Sequence, residues 1–171
     1  MKIDLGCGKN KAADFIGVDS IKFDGVDVVA DLKQKWPFED NSVDEARTSH
    51  FVEHLTGAER IHFFNELYRV LKKDAPCLII VPHWSNDCAY GDPTHQWPPI
   101  SEWFFFYLEQ KWREANAPHT EYKCNFDWTY GYSLEQDAQT RNPEFQRFGV
   151  RHYRNVIREI IGTITKRELK E

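Results

Sequence analysis

A strand that runs straight into a glycine turn, followed by two strands that each end in an acid, leaves few folds open to this chain. Met1 to Leu5 is short, apolar and strand-like, and it enters Gly6-Cys7-Gly8. Phe15 to Asp19 is expected as a second strand and Val26 to Ala30 as a third, followed by Asp31. The stretch Trp36-Pro37-Phe38-Glu39-Asp40-Asn41-Ser42 is turn chemistry. Val43 to Ser49 is then a fourth strand, with Glu45 and Arg47 against the pattern. A helix follows: Thr56 and Glu59 have capping-box spacing, and Ile61, Phe64, Leu67, Tyr68 and Leu71 recur at helical intervals. Lys72 and Lys73 complement the negative end of its dipole. Cys77 to Val81 is continuously apolar, as a strand covered on both faces requires. Strands alternating with helical segments imply a parallel sheet. The expected class is therefore α/β: a Rossmann-like, mostly parallel sheet in a three-layer α/β/α arrangement, with an antiparallel C-terminal strand.

From Pro82 to Pro118 the alternation breaks, because Pro82, Pro93, Pro98 and Pro99 exclude long regular elements. Ser101 is expected to cap a helix running to about Ala115, whose start, Trp103 to Leu108, is apolar all round and so is buried or lines a pocket. Tyr122, Cys124, Phe126, Trp128, Tyr130 and Tyr132 alternate with polar residues, the mark of a half-buried antiparallel strand. The tail from Asn155 to Thr165 fits a helix or a strand, and its β-branched residues and Gly162 favour a strand. The 171 residues fit one domain, within which 1–82 keeps the strand–helix alternation and 83–118 is an insert that breaks it.

Composition narrows the function. Aromatic residues make up 15%, most of them after residue 80, which suits either a bulky core or the wall of a ligand pocket. A net charge of −5 argues against a broad nucleic-acid face, since phosphate neutralisation needs clustered Lys and Arg. The local group Arg147, Arg151, His152, Arg154 and Arg158 is the exception, and it also fits the solvated side of a C-terminal element. Cys7, Cys77, Cys88 and Cys124 are scattered and read as free thiols. The chain opens on a strand rather than an apolar leader, and no run approaches the roughly 18 apolar residues of a membrane span. A cytoplasmic protein without membrane contact is expected.

The glycine turn lets backbone approach a ligand closely, and an acid after the next strand can accept hydrogen bonds from a ribose diol. Asp31 follows the third strand on the same edge. Lys11 stands where a dinucleotide fingerprint needs its third glycine, and no long helix fits between Gly8 and Phe15. That favours a nucleoside without a phosphate bridge over a nicotinamide dinucleotide.

On these residues the chain resembles the class I methyltransferases, in particular the methyltransferase-11-like group. Asp4-Leu5-Gly6-Cys7-Gly8 is similar to the loop under the methionine part of S-adenosylmethionine. Gly17-Val18-Asp19 resembles the ribose-binding acid, and Ala30-Asp31-Leu32 the segment that contacts adenine. Trp36 to Asp44, Phe51-Val52-Glu53-His54-Leu55 and Glu66-Leu67-Tyr68-Arg69-Val70-Leu71-Lys72 resemble further family stretches in order, so the likeness covers residues 1 to about 82. The resemblance implies S-adenosylmethionine as cofactor and Asp4, Gly6, Cys7, Gly8, Asp19, Asp31, Leu32 and Ser49 as its contacts. Three positions depart from the pattern. Asn10 replaces the third glycine, Lys73-Asp74-Ala75 stands where a Gly-Gly turn is common, and the usual N-terminal helices are lacking.

Methyl transfer needs a base only when the acceptor loses a proton, and the candidates are His50, His83 and His95. His83, Asp87, Cys88, Asp92 and His95 match no established zinc spacing, so no metal is assigned to them. The leading expectation is methylation of an O or N on a small molecule whose pocket is walled by Trp84, Trp97, Trp103, Phe104 and Tyr107, in a chain that also allows homo-oligomers. A catalytically silent, cofactor-binding partner subunit is one alternative. A nucleic-acid base methyltransferase is another, and would need the Arg147–Arg158 group to face the pocket mouth. Ser49-His50-Phe51-Val52 in place of an Asn/Asp-Pro-Pro-Tyr sequence counts against it.

Overall fold

The computed structural model describes residues 1–170. Seven strands form one sheet: β1 (Lys2–Leu5), β2 (Ile16–Asp19), β3 (Val28–Val29), β4 (Glu45–Ser49), β5 (Pro76–Pro82), β6 (Phe126–Leu134) and β7 (Ile157–Lys166). Their order is β3-β2-β1-β4-β5-β7-β6. The first five run parallel, and β7 lies antiparallel between β5 and β6. This is the expected Rossmann-like topology, and the ambiguous tail is a strand.

Helix α1 (Gly57–Val70) starts with the expected capping box: the Thr56 side chain accepts from Glu59 N, and the Glu59 carboxylate accepts from Thr56 N. It buries Phe63, Phe64, Leu67 and Val70 in the core, each contributing roughly 1.5–3 kcal/mol by apolar burial. Short helices α2 (Cys88–Gly91), α3 (Trp103–Phe106), α4 (Gln110–Asn116), α5 (Gln136–Gln139) and α6 (Pro143–His152) follow.

The register shows how the helices are distributed. Ile3, Ala46, Cys77, Ile79, Ile160 and Ile164 share the face under α1 and are fully or almost fully buried. The aromatic start of the insert packs on that face as well: Phe104 meets Phe64 of α1, and Phe105 meets Trp128 and Tyr130 of β6. Gly162 makes this contact possible, because a Cβ there would fall 2.5 Å from the Phe105 ring. On the opposite face Arg47, Leu78 and Ile80 are only half-buried, and Ile161 and Thr163 are exposed. Loops from the β1–β2 and β2–β3 connections cover Asp4 and Gly17 there: Ala12 N donates to Asp4, and Asp27 accepts from Gly17 N.

Three boundaries differ from expectation, each because another partner takes the backbone. β3 is only two residues long, since Val26 N closes a turn on Phe23 O and Asp27 reaches Gly17 with its side chain. The helix expected from Ser101 to about Ala115 is broken into α3 and α4, with Glu109 in an extended conformation between them. β6 begins at Phe126 rather than Tyr122: Arg113 takes Cys124 O, and Phe126 N donates to Leu108 O, so the backbone ahead of Phe126 is tied to the segment between α3 and α4. In the turn before β5, where the family's glycines would lie, Asp74 adopts φ +62°, a left-handed conformation that an aspartate tolerates better than most residues. Among the described residues no helix is long and apolar enough to cross a membrane. Cys7, Cys77 and Cys124 are buried free thiols, and Cys88 is an exposed one.

Candidate active site

The carboxyl ends of β1, β2 and β3 bring several predicted cofactor contacts together. Gly6 (φ +67°) and Gly8 (φ +53°) are both left-handed, and Gly6 N and Cys7 N both donate to Val18 O, which ties the turn to β2. A Cβ at Gly6 would strike the Phe51 ring at 2.3 Å, whereas one at Gly8 would meet nothing within 4 Å. Gly8 therefore offers bare backbone to an approaching ligand. Asp19 accepts from Gly8 N at 2.9 Å with one oxygen and from Ile21 N at 3.0 Å with the other. Ala30 N donates to Asp19 O, so Asp31 follows on the same edge, exposed, with its side chain turned onto Lys33 N.

Other predicted contacts lie deeper. Asp4 is completely buried, accepting from both its partners, Arg47 and Ala12 N. Leu32 belongs to the core, and Cys7 is buried, which pushes its thiol above the ordinary range. Ser49 is half-buried at the end of β4.

The three histidines put forward as bases fall into two cavities. His83 opens into one of about 1160 Å³, lined also by Glu102, Tyr130, Tyr132, Arg147, Arg151 and Arg154. Its ring is 2% exposed and both nitrogens are engaged: Ser85 Oγ lies 2.7 Å from Nδ1 and Glu102 Oε1 3.1 Å from Nε2. Tyr132 donates to the same Glu102 oxygen at 2.6 Å. Burial raises the Glu102 pKa, but the bonds from His83 and Tyr132 outweigh it and hold the carboxyl at about 2.

His50 and His95 share the second cavity, about 660 Å³, with Pro82, Cys88, Asp92, Arg158 and Glu159 among its walls. His50 follows β4 directly and has φ +53°, a costly conformation for a non-glycine residue. His50 N is anchored to Ile80 O, and the half-exposed ring sits between two acids, Glu53 Oε1 at 3.3 Å from Nδ1 and Glu159 Oε1 at 3.0 Å from Nε2. Glu53 first, and Glu159 after it, hold the His50 pKa above its usual value. The segment carrying His50 adjoins the glycine turn, because it is Phe51 that packs against Gly6. Arg60, on α1 and 4% exposed, binds Val52 O, Gln96 O and Pro98 O and so ties this segment to the loop carrying His95.

Residues 9–79 match the family described as "Methyltransferase domain". A SAM-dependent methyltransferase from Archaeoglobus fulgidus has the same fold, with a TM-score of 0.67 at 20% identity over 97% of this chain and 85% of that one. The family model thus covers residues 9–79 of the 171, and the chain shares its fold with this S-adenosylmethionine-dependent methyltransferase. A SAM-dependent methyltransferase from Methanosarcina mazei aligns at TM-score 0.59 and 15% identity, covering 96% of this chain and 91% of its own. The Haloferax volcanii chain solved with the Trm112 methyltransferase activator gives 0.59 at 15%, over 99% and 83%. No curated protein sequence matches.

The residues present at the glycine turn fit S-adenosylmethionine. Each Asp19 oxygen accepts one backbone N–H, and an ionised carboxylate offers about four acceptor positions in all, so a ribose diol finds capacity left. The open space at Gly8 suits close passage of the ligand over the turn.

The five residues weighed as a metal group, His83, Asp87, Cys88, Asp92 and His95, do not converge, since His83 faces the larger cavity. Of the supposed pocket wall, Trp84 lines the larger cavity, Trp97 and Trp103 are exposed, and Phe104 packs on the core. The sequence reading missed Glu53, Arg60, Arg158 and Glu159. Glu53 and Arg60 were within reach: both are polar residues next to positions expected to be buried, in the turn after β4 and on α1.

Proposed function

We propose that this protein is a methyltransferase that moves the methyl group of S-adenosylmethionine to an oxygen or nitrogen of a small-molecule acceptor bound beside His50. The cofactor, when bound, supplies a methyl carbon on a sulfonium, and its displacement is accelerated mainly by positioning and by exclusion of water. The glycine turn and Asp19 would hold the nucleoside and methionine parts. Asp31 would act from the same edge, and Asp4 would act indirectly by fixing the loop through Arg47 and Ala12. The observation that supports the reading is that Phe51, next to His50 in the chain, lies against Gly6 of the glycine turn. His50 and His95 can reach an acceptor in that cavity, and we assign the hydrogen bond to the acceptor's reacting group to His50. His83, locked between Ser85 and Glu102, is left with a structural part. In this reading the chain is one unit, with 1–82 holding the cofactor and the insert from His83 closing the acceptor side, working in a reducing cytoplasm.

A second reading has one specific observation in its favour. Arg147, Arg151 and Arg154 line the larger cavity beside Tyr130 and Tyr132, which would suit a nucleotide or nucleic-acid acceptor. The net charge of −5 keeps it second.

The test is calorimetric titration of the purified protein with S-adenosylmethionine and S-adenosylhomocysteine, repeated on Asp19→Ala. Micromolar binding that weakens at least about tenfold in the variant, a loss of roughly 1.4 kcal/mol, supports the cofactor site. No binding by well-folded wild type would overturn the enzyme acting alone and favour the partner-subunit alternative.

A further inference from the structure

In the turn after β4, beside the His50 that lines the smaller cavity, the fold buries a carboxylate and leaves it without a hydrogen bond. Glu53 is 4% exposed, and neither of its oxygens has a hydrogen-bond partner, although His50 stands at ion-pair distance. Buried carboxylates are normally satisfied, because an unpaired one forfeits its hydration without return. Two imidazoles face it: one donor atom each from Glu53, His54 and His95 lies within 4.8 Å of the other two.

The two rings are set up alike. His54 Nδ1 lies 2.9 Å from Thr94 Oγ1, which itself donates to Asp92 Oδ1 at 2.6 Å. His95 Nδ1 lies 3.2 Å from Ala89 O. Each ring is thus held through Nδ1, and Nε2 carries no hydrogen bond. Metal-binding histidines are commonly held in this way by a second-shell partner that fixes ring orientation and tautomer. Gln96 N donates to Glu53 O at 2.8 Å, and Arg60 grips both segments, so the three side chains stand on a braced frame.

We propose that Glu53, His54 and His95 form a divalent transition-metal site. Two imidazoles and one carboxylate suit Zn²⁺ or Mn²⁺, with ligand bonds near 2.1 Å that require the donor atoms to draw together by on the order of 1 Å. Three protein ligands leave coordination positions open, and His95 gives the site a wall in the cavity. That those positions meet the methyl acceptor rests on the function proposed above. Metal binding itself does not, and it is measured without S-adenosylmethionine.

The experiment is titration of metal-free, full-length protein with Zn²⁺ by calorimetry and with Mn²⁺ by electron paramagnetic resonance. Wild type is expected to bind one ion per chain. His95→Ala and Glu53→Gln should each weaken binding at least about tenfold, and Thr94→Val, which keeps all three ligands but removes the His54 orienting group, by several-fold. Cys88→Ser, at the exposed thiol of the same cavity, should bind as wild type does. Folding of every variant is checked by circular dichroism. Failure of folded wild type to bind either ion, equal affinity in Thr94→Val and His95→Ala as in wild type, or loss of binding in Cys88→Ser would each overturn the site.

Discussion

The two histidine cavities are built from similar side chains but differ in how their polar groups are partnered. Around His83 the buried groups are engaged: Ser85, Glu102 and Tyr132 close a network on a ring that is almost wholly buried. Beside His50 the buried Glu53 has no hydrogen bond, only the ion-pair contact with His50. The Nε2 atoms of His54 and His95 make no hydrogen bond, although Asp92 Oδ2 lies 3.9 Å from that of His95. A satisfied buried network rigidifies and specifies a structure, whereas an unsatisfied one costs stability until something binds. The contrast teaches that a buried histidine in a pocket is weak evidence for chemistry, and an orphaned carboxylate next to two of them is stronger.

The largest expected effect removes the brace of the second cavity. Arg60→Met deletes bonds to Val52 O, Gln96 O and Pro98 O, leaving carbonyls in a mostly buried region without donors. The expected loss is about 3 kcal/mol in urea unfolding. Hydrogen exchange should rise at residues 92–98 and stay unchanged around His83. A loss below about 1 kcal/mol, or faster exchange spread evenly over both cavities, would erase the distinction between a braced frame and an ordinary loop.

How legible each region was follows from the same physics. The N-terminal half was readable because its signals are local: the turn at Gly6 and Gly8 needs left-handed backbone, and the Thr56–Glu59 box marks a helix start wherever it lies. The placement of Asp19 follows from strand length alone. Helix α3 and the start of β6 were misread because distant partners decide them, Arg113 claiming Cys124 O and Asn125 claiming Gln110 N. The cavity around His50 was half legible. His50 and His95 stand out as residue types, but Glu53 and His54 join His95 only because Gln96 N and Arg60 fold the loop back over the turn after β4. No spacing rule encodes a contact across about 40 residues of irregular chain.

An intermediate effect is expected in the satisfied cavity. Glu102→Gln keeps the shape but replaces the shared carboxylate, and should cost about 2 kcal/mol near neutral pH. The pH dependence sharpens this. The folded state holds Glu102 at about 2, against an ordinary value of 4.5. A carboxyl held down in this way contributes stability that is fully present above about pH 4.5 and is lost as pH falls towards 2. The gap between wild type and variant in urea unfolding should therefore be widest above pH 5 and shrink below pH 4. A gap independent of pH would mean that the network does not depend on an ionised Glu102.

The smallest effect has the opposite sign. Glu53→Gln in metal-free protein replaces a buried, acceptor-only carboxylate that lacks donors with a neutral amide, whose burial costs less. The ion pair it forfeits is with His50, whose side chain is 49% exposed, and such pairs are worth little. The expected result is a gain of about 1 kcal/mol in the absence of metal, read as a raised unfolding midpoint, where the same Glu→Gln change at Glu102 lowers it. Adding Zn²⁺ should then reverse the ranking, because only wild type retains all three ligands and ligand binding to the folded state adds stability. If Glu53→Gln destabilises the metal-free protein as Glu102→Gln does, Glu53 has a partner in solution after all, and the two cavities are alike.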